Sequence, residues 1–261
     1  MEFEVSKISE KGDFRTQNQD RVDYAFNKYG QFLAIVCDGM GGHPHGDLAA
    51  ETGINEFLAL FKATNFANFK RHEIKQWLEV FVLKIRVKME VIANDDEQKL
   101  AMGTTLSALL IVDEKNGFTV NVGDSRIYQF YNDKLKQLTI DQNLYNQTRA
   151  SERRRVNHLY ENDHRFSPRH YWKILTSALG PEKNIQIDIK HLKKIRGSFL
   201  LTSDGVHDYI NSEIIKNVLA GDDALEQKGK KLINLALSGA SADNLSLIIL
   251  EVSGGQNGIK N

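Results

Sequence analysis

The chain has 261 residues, of which 41% are hydrophobic and 26% charged. These proportions are typical of a folded globular domain and exclude a disordered or collagen-like chain. Lysine plus arginine equals aspartate plus glutamate at 34 each, so the net charge disfavours nonspecific binding to nucleic acid or to an anionic membrane. The single cysteine, Cys37, excludes internal disulfides and lies in an apolar run, which predicts a small buried side chain.

The N-terminal residues lack the basic and apolar regions of a signal peptide, and no apolar run approaches the roughly 18 residues of a membrane span. We therefore expect a cytoplasmic protein with no membrane association.

Short apolar runs and amphipathic stripes predict the secondary structure. In chain order, we predict strands at 3–8 and 32–37, helices at 50–61 and 74–92, strands at 106–112, 118–122, 126–131, 185–189 and 199–201, helices at 212–220 and 223–237, and a strand at 245–252. Hairpin-type turns at 27–30, 113–117 and 131–134 favour antiparallel pairing. These features predict an α+β domain over residues 1–252, with helices outside and antiparallel sheets inside, followed by a flexible tail at 253–261.

Acidic residues stand at the ends of the most apolar predicted strands. Asp38 follows the strand at 32–37, Asp124 follows 118–122, Asp204 follows 199–201 and Asp243 precedes 245–252. Each of them alone is typical of an ordinary turn. If the strand ends meet at one edge, however, the carboxylates repel one another and require a cation.

The residue types at this edge favour a hard metal ion. Oxygen ligands without thiolates select Mg²⁺ or Mn²⁺ over zinc, and the histidine pairs in the sequence do not complete a zinc motif. The sequence also contains no phosphate-binding P-loop, serine-hydrolase elbow or dinucleotide fingerprint.

Seven short motifs, in order along nearly the whole chain, carry a resemblance to a known family. They are GDFRTQNQD at 12–20, VCDGMGGH at 36–43, GTT at 103–105, NVGDSRIY at 121–128, LTSALG at 175–180, LTSDGVHD at 201–208 and ADNLS at 242–246. With these motifs the sequence resembles the metal-dependent protein serine/threonine phosphatases of the protein phosphatase 2C-like family, in its compact bacterial form. The resemblance implies a four-layer α-β-β-α sandwich of two central antiparallel sheets flanked by helices, with residues 139–172 as the variable flap beside the active site.

The resemblance also implies a set of metal ligands. In such enzymes the residue matching Asp38 bridges two metal ions, and the carbonyl oxygen matching that of Gly39 contacts the second ion. The residues matching Asp204 and Asp243 complete the first site, and Asp204 also lies near a third, weaker ion. At the two remaining positions, the resemblance assigns Asp124 to this third ion and Asp20 to a metal-bound water.

For catalysis, the resemblance implies that a hydroxide bridging two Mg²⁺ or Mn²⁺ ions attacks the phosphorus atom, while Arg15 binds the phosphate. The GTT motif is expected to support the site structurally, and Asp208 to lie near the site or to cap a helix. Three positions depart from the family pattern. Gln19 replaces the glutamate of some members, Met40 replaces a histidine proposed as general acid in eukaryotic members, and Gln142 replaces the usual histidine at the flap entry.

The flap is locally basic, with six arginines and three histidines against four acidic residues. It is either a solvated helix face or a surface that selects acidic or phosphorylated substrates. The function predicted from the sequence is a monomeric phosphoserine and phosphothreonine phosphatase that acts on the targets of a serine/threonine kinase. One alternative is a catalytically silent, phosphatase-like binding module, and another is a hydrolase of small phosphoesters.

Overall fold

A computed structural model describes residues 1–40, 45–161, 163 and 167–253. Its strands are β1 (Glu2–Glu10), β2 (Arg21–Phe26), β3 (Phe32–Cys37), β4 (Leu106–Asp113), β5 (Asn116–Val122), β6 (Arg126–Tyr131), β7 (Lys134–Gln137), β8 (Asp188–Leu192), β9 (Gly197–Thr202) and β10 (Leu245–Ser253). Its helices are α1 (Gly46–Ala63), α2 (Arg71–Ala93), α3 (Glu97–Leu100), α4 (Leu144–Gln147), α5 (Ala150–Leu159), α6 (Pro168–Trp172), α7 (Asp204–His207), α8 (Ser212–Ala220) and α9 (Leu225–Ser238).

The strands form two antiparallel sheets of five strands each. The order is β1-β10-β9-β6-β7 in the first sheet and β2-β3-β4-β5-β8 in the second. The hairpin turns predicted at 27–30, 113–117 and 131–134 join neighbouring strands, which confirms the antiparallel prediction.

Strand β3 shows how the layers stack. Its odd-numbered residues, Leu33, Ile35 and Cys37, belong to a core shared with α1 and α2. Its even-numbered residues, such as Val36, pack between the two sheets against residues of the first sheet such as Ile248. Side chains alternate between the two faces of a strand, and both faces of β3 are buried. A strand that is buried on both faces needs apolar residues at every position, as β3 has.

A third core lies on the outer face of the first sheet. It joins Leu247 and Ile249 of β10 to residues of α8 and α9, including Ile215 and Leu232. The order of layers is therefore helices, sheet, sheet, helices, which confirms the predicted four-layer sandwich. Cys37 is a fully buried core residue, as expected, and burial raises the pKa of its thiol.

The sequence-based prediction missed or misplaced three strands, all at sheet edges. It omitted β2 and β7, because neither forms an apolar run, and β7 is mostly exposed. It placed a strand at 185–189, whereas β8 spans Asp188–Leu192. The backbone pairing of Asn121 with Asp188 sets this register, while Ile185 and Ile187 pack against the α1 and α2 core from outside the strand.

Two other expectations concern the chain end and membranes. The predicted tail begins at Ser253, but β10 includes this residue, and 254–261 lie outside the described residues. Within the described part of the chain, none of the helices combines the length and the hydropathy that a membrane crossing requires.

The layer between the sheets provides a stability test. Ile248 is fully buried there, whereas Val91 on α2 is 68% exposed. We expect Ile248→Ala to lower the free energy of unfolding by about 2–5 kcal/mol, because it leaves a cavity between two packed sheets. The control Val91→Ala should change it by less than about 0.5 kcal/mol. Urea denaturation measures both values, and an equal effect of the two substitutions would contradict this packing.

Candidate active site

A pocket of about 190 Å³ opens where strand ends from both sheets meet. It is lined by Arg15, Asp38, Met40, Thr105, Asp124, Lys173, Leu175, Asp204 and Asp243. The four aspartates that the sequence places at strand ends therefore lie around one cavity, together with Arg15.

The pairing of the strands explains why these residues meet. In the second sheet, the end of β3 lies beside the start of β4, and the start of β4 lies beside the end of β5, which brings Asp38 and Asp124 to one edge. In the first sheet, the end of β9 lies beside the starts of β10 and β6, which places Asp204 and Asp243 at one edge as well. Packing of the sheets face to face brings the two edges together.

Backbone hydrogen bonds fix Asp38 in place. Thr105 donates its amide to the carbonyl oxygen of Asp38 at 2.8 Å, and its Oγ1 accepts the amide of Asp38 at 3.0 Å. Thr104 Oγ1 donates to the same carbonyl oxygen at 2.9 Å. The GTT motif thus supports the site structurally, as the sequence analysis expected.

Gly39 is packed too tightly to carry a side chain. A Cβ atom there would lie 2.5 Å from the carbonyl oxygen of Gly46 and 2.7 Å from that of Gln19. Gly39 therefore lets the start of α1 and the segment before β2 approach the turn after β3.

The segment between β1 and β2 carries Arg15 and Asp20 and is tied to the start of β10 by Asn244. The side chain of Asn244 donates to the carbonyl oxygens of Lys11 and Gln17 at 2.9 and 3.0 Å, and it accepts the amide of Gln19 at 2.9 Å. This clamp positions Arg15, whose Nη2 donates to Asp243 Oδ2 at 2.6 Å.

Asp20 lies beside the pocket lining and is almost fully buried. Its Oδ2 has no hydrogen-bond partner among the described residues. Burial raises the pKa of Asp20 to about 6, although hydrogen bonds to Ser246 and Ser203 oppose the rise. A buried carboxylate oxygen without a donor requires a cation, a bound water or a proton.

The other pocket carboxyls show the same electrostatic strain. Removal from water, followed by repulsion from Asp243, raises the pKa of Asp204 to about 7. Burial, followed by repulsion from Asp20, Asp204 and further aspartates, raises the pKa of Asp38 well above its usual range. For Asp124, burial and repulsion from Asp204 have the same effect. The pocket thus holds more negative charge than its own cations compensate.

The two cations that line the pocket each have a carboxylate partner. Arg15 pairs with Asp243, and this hydrogen bond raises the pKa of the guanidinium. Lys173 pairs with Asp208, the residue that ends α7. Asp208 therefore lies close to the site and is also the C-terminal cap residue of α7, and its charge contributes to the raised pKa of Asp204 and Asp124.

The donor set suits a divalent cation that keeps part of its water shell. Among the described residues, no three carboxylate, thiolate or imidazole groups are spaced closely enough to hold one ion by themselves. Mg²⁺ is usually bound through only one or two carboxylates together with several waters. The unpartnered Oδ2 of Asp20 and the uncompensated charge of Asp38, Asp124 and Asp204 fit such an ion.

Two of the residues that depart from the family pattern, Met40 and Gln142, lie at the pocket and at the flap entry. Met40 lines the pocket, where the eukaryotic pattern has a histidine. Gln142 is buried, and its Oε1 accepts the amide of Gly123 at 2.8 Å, which ties the flap entry to the turn that carries Asp124. Residues 41–44, which include Gly41, Gly42 and His43 of the second motif, lie outside the described residues.

The basic flap is mostly a solvated surface. Arg154 and Arg155 on α5 are exposed, whereas Arg153 lies over the ring of Tyr145 at 4.0 Å. Arg165 and the side chain of Arg169 lie outside the described residues. The site residues predicted from the sequence do not include Lys173, Leu175 or Asn244. The sequence did offer a signal for each of them. Lys173 lies just before the fifth motif, Leu175 is its first residue, and Asn244 directly follows Asp243.

Comparison with known proteins identifies the family. The family model described as protein phosphatase 2C matches residues 15–242, which include Arg15, Asp38, Asp124 and Asp204 and end just before Asp243. The chain belongs to the protein phosphatase 2C family. Protein phosphatase PhpP of Streptococcus pneumoniae is 28% identical over 252 residues, covering 96% of this chain and 98% of its own length. Serine/threonine phosphatase stp of Listeria innocua is 30% identical over 244 residues and covers 93% of each chain.

Solved structures agree with this membership of the protein phosphatase 2C family. Serine/threonine phosphatase Stp1 from Staphylococcus aureus superimposes with a TM-score of 0.80 at 29% identity, covering 97% of this chain and 96% of its own. The S. agalactiae serine/threonine phosphatase gives 0.81 at 29% identity, covering 97% and 100%. The catalytic domain of the phosphatase PstP, solved with two manganese ions, shares the fold with a TM-score of 0.72 at 22% identity, covering 97% and 99%.

The raised carboxyl pKa values make the stability of the metal-free protein depend on pH. Asp204 has a pKa of about 7 in the folded chain and about 3.9 in an unfolded one. Its ionisation therefore costs stability as the pH rises from about 4 to 7. His207, whose pKa burial lowers well below its usual range, has the opposite effect, so the informative quantity is the difference between two proteins.

We expect Asp204→Asn to raise the melting temperature relative to the wild type in the presence of a chelator, and to raise it more at pH 8 than at pH 5. Differential scanning calorimetry measures this difference. A difference that does not change with pH would contradict the repulsion assigned to Asp204.

Proposed function

We propose that this chain is a metal-dependent protein phosphatase that hydrolyses phosphoserine and phosphothreonine monoesters. The observation that carries the proposal is the pocket at the strand ends, where Asp38, Asp124, Asp204 and Asp243 surround Arg15. Such a pocket offers carboxylates for divalent cations and a guanidinium for the phosphate. The relatives named serine/threonine phosphatases, which match nearly the whole chain, support the same activity.

The residues that would hold the ions are those of the pocket and its surroundings. We assign two ions to Asp38, the carbonyl oxygen of Gly39, Asp204 and Asp243, with Asp20 acting through water, and a third, weaker ion to Asp124 and Asp204. Oxygen donors of this kind favour Mg²⁺ or Mn²⁺. When bound, such ions acidify water and neutralise the charge of the phosphoryl oxygens.

The aspartates of this pocket are assigned to the ions, and its described lining offers no hydroxyl, thiol or imidazole group as nucleophile. Thr105 is held through Oγ1 by Ser125 at 2.7 Å and by the amide of Asp38. Cys37 is buried in the helix-side core, and His207 bonds to Thr202 at 2.8 Å with its pKa lowered by burial. The attacking oxygen therefore comes from water, which breaks the P–O ester bond and releases phosphate and the seryl or threonyl hydroxyl.

Arg15 is placed to orient the phosphate. One of its nitrogens, Nη2, is bonded to Asp243, and its buried Nε has no partner among the described residues. A guanidinium presents several donors in one plane, which suits two oxygens of a phosphoryl group. Binding of a phosphoryl group would satisfy this side chain more fully than the ion pair alone.

The catalytically silent alternative has no support, because every acidic residue that the family pattern requires is present at the pocket or beside it. We further propose that the substrates are proteins phosphorylated by a serine/threonine kinase. The cytoplasmic location and the monomeric state expected from the sequence stay predictions.

Asp38 tests the proposed catalysis most strictly. We expect Asp38→Asn to lower kcat/KM for a phosphothreonine peptide by about 10³-fold, because it removes a charge that would hold the ions. The control Asp222→Asn, at an exposed position, should leave turnover unchanged. Phosphate release with Mn²⁺, with Mg²⁺ and with a chelator measures this effect. Normal turnover by folded Asp38→Asn would refute the assignment.

Arg15 tests phosphate binding separately. We expect Arg15→Ala to raise KM for phosphate esters about 10-fold or more, because hydrogen bonds to a charged group are lost, and Arg15→Lys to raise it less. The exposed Arg196 provides the control Arg196→Ala. Steady-state kinetics on p-nitrophenyl phosphate give the values, and an unchanged KM would show that Arg15 does not bind phosphate.

A further inference from the structure

A second and larger cavity, of about 530 Å³, lies beside the catalytic pocket, and Lys173 lines both. The other residues that line it are Arg126, Gln137, Thr139, Ile140, Asp141, Asn143, Tyr145, Asn146, Pro168 and Trp172. We name it the flap cavity, because its walls are the β6–β7 hairpin with the segment that follows it, and the flap helices α4 and α6. The proposed hydrolysis gives none of these residues a role, and only Lys173 also lines the catalytic pocket.

The charged groups of the flap cavity satisfy one another. Arg126 forms a two-pronged ion pair with Asp141, with Nη2 at 2.6 Å from Oδ2 and Nε at 2.9 Å from Oδ1. Gln137 donates to Asp141 Oδ1 at 3.0 Å, and Asn146 donates to the carbonyl oxygen of Asp141 at 2.9 Å. Lys173 pairs with Asp208. A charged ligand would therefore have to compete with a pairing that already exists.

The rest of the lining combines the exposed Ile140 and Tyr145 with Pro168, the buried Trp172 and the buried polar residues Thr139 and Asn143. Ile140 and Tyr145 are 54% and 50% exposed, so two large apolar side chains present uncovered surface to the same cavity. The ring of Trp172 is held in place because its indole nitrogen donates to Asn157 at 2.8 Å. Arg153 lies over the ring of Tyr145 and fixes its orientation. These surfaces gain free energy when an apolar group covers them.

We propose that the flap cavity receives a large apolar side chain of the phosphoprotein substrate, within a few residues of the phosphorylated residue. This inference rests on the proposed function and adds a substrate class to it. The cavity adjoins the catalytic pocket through Lys173, so an extended peptide with its phosphoryl group at Arg15 continues past it. A small phosphoester carries no neighbouring amino-acid side chain to place in the flap cavity.

The ion pairs Arg126–Asp141 and Lys173–Asp208 favour an apolar over an acidic substrate side chain in the flap cavity. An acidic side chain in the flap cavity would approach the carboxylate of Asp141 while both Arg126 and Lys173 are engaged. An aromatic or long aliphatic side chain meets Ile140, Tyr145 and Trp172 without disturbing either pair.

The test is a set of phosphothreonine peptides in which a single phenylalanine or alanine is placed at each position near the phosphothreonine. The wild type should favour phenylalanine over alanine about tenfold in kcat/KM at one or two positions, because burial of a large apolar side chain strengthens binding by about that factor. Tyr145→Ala and Ile140→Glu should abolish this preference, while kcat/KM for p-nitrophenyl phosphate stays unchanged.

Two matched controls lie on the same flap but outside the cavity lining. Tyr160 is 47% exposed and Leu159 is 66% exposed, so Tyr160→Ala and Leu159→Glu repeat the same substitutions away from the cavity. Both should keep the phenylalanine preference. Circular dichroism and melting temperatures of all four variants establish that the fold is intact.

Three outcomes would overturn the proposal. The first is a wild type with no positional preference, and the second is a preference that survives in Tyr145→Ala and Ile140→Glu. The third is a dimer, seen by sedimentation, that these two substitutions dissociate, because the occupant of the cavity would then be a second copy of the chain. If the wild type releases no phosphate even from p-nitrophenyl phosphate, the proposed function fails instead. Fluorescence anisotropy with the same peptides then tests the flap cavity by binding alone, and equal affinity for phenylalanine and alanine peptides would refute it.

Discussion

The main physical constraint on this structure is the repulsion among the carboxylates that the two sheets bring together. Antiparallel pairing brings Asp38 and Asp124 to one edge of the second sheet and Asp204 and Asp243 to one edge of the first, and face-to-face packing places all four, partly buried, around one pocket. The raised pKa of Asp38, Asp124 and Asp204 measures the cost of this arrangement. Hydrogen bonds from neighbouring threonines, and the close packing at Gly39, hold Asp38 in place, so the fold retains a charge that only a proton or a cation offsets.

Much of the fold could be predicted from the sequence because most central strands are apolar on both faces. Strands β3 and β6 have the predicted bounds, and the fully apolar β3 already indicates burial between two layers. Edge strands lack this signal. In β7 the residues are mostly exposed, and in β8 the position is set by backbone pairing with β5 rather than by the apolar residues Ile185 and Ile187.

The same distinction applies to the site. The aspartates could be predicted because each follows or precedes an apolar strand, and the motifs around them added Arg15 and Asp20. Neither source pointed to Asn244 as the clamp that holds the Arg15 segment, or to Lys173 as the wall between two cavities. Their roles arise from contacts between segments far apart in the chain, so closeness to a motif could mark these residues but could not show what they contact.

The proposed catalysis requires that the clustered carboxylates hold divalent cations. Electron paramagnetic resonance of Mn²⁺ titrated into the chelator-treated wild type and Asp38→Asn tests it most directly, because bound and free ions give distinct signals and activity is not involved. The wild type should bind at least two Mn²⁺ ions per chain, and folded Asp38→Asn should bind fewer and more weakly. Equal binding by the two proteins, or no binding by the folded wild type, would contradict the account.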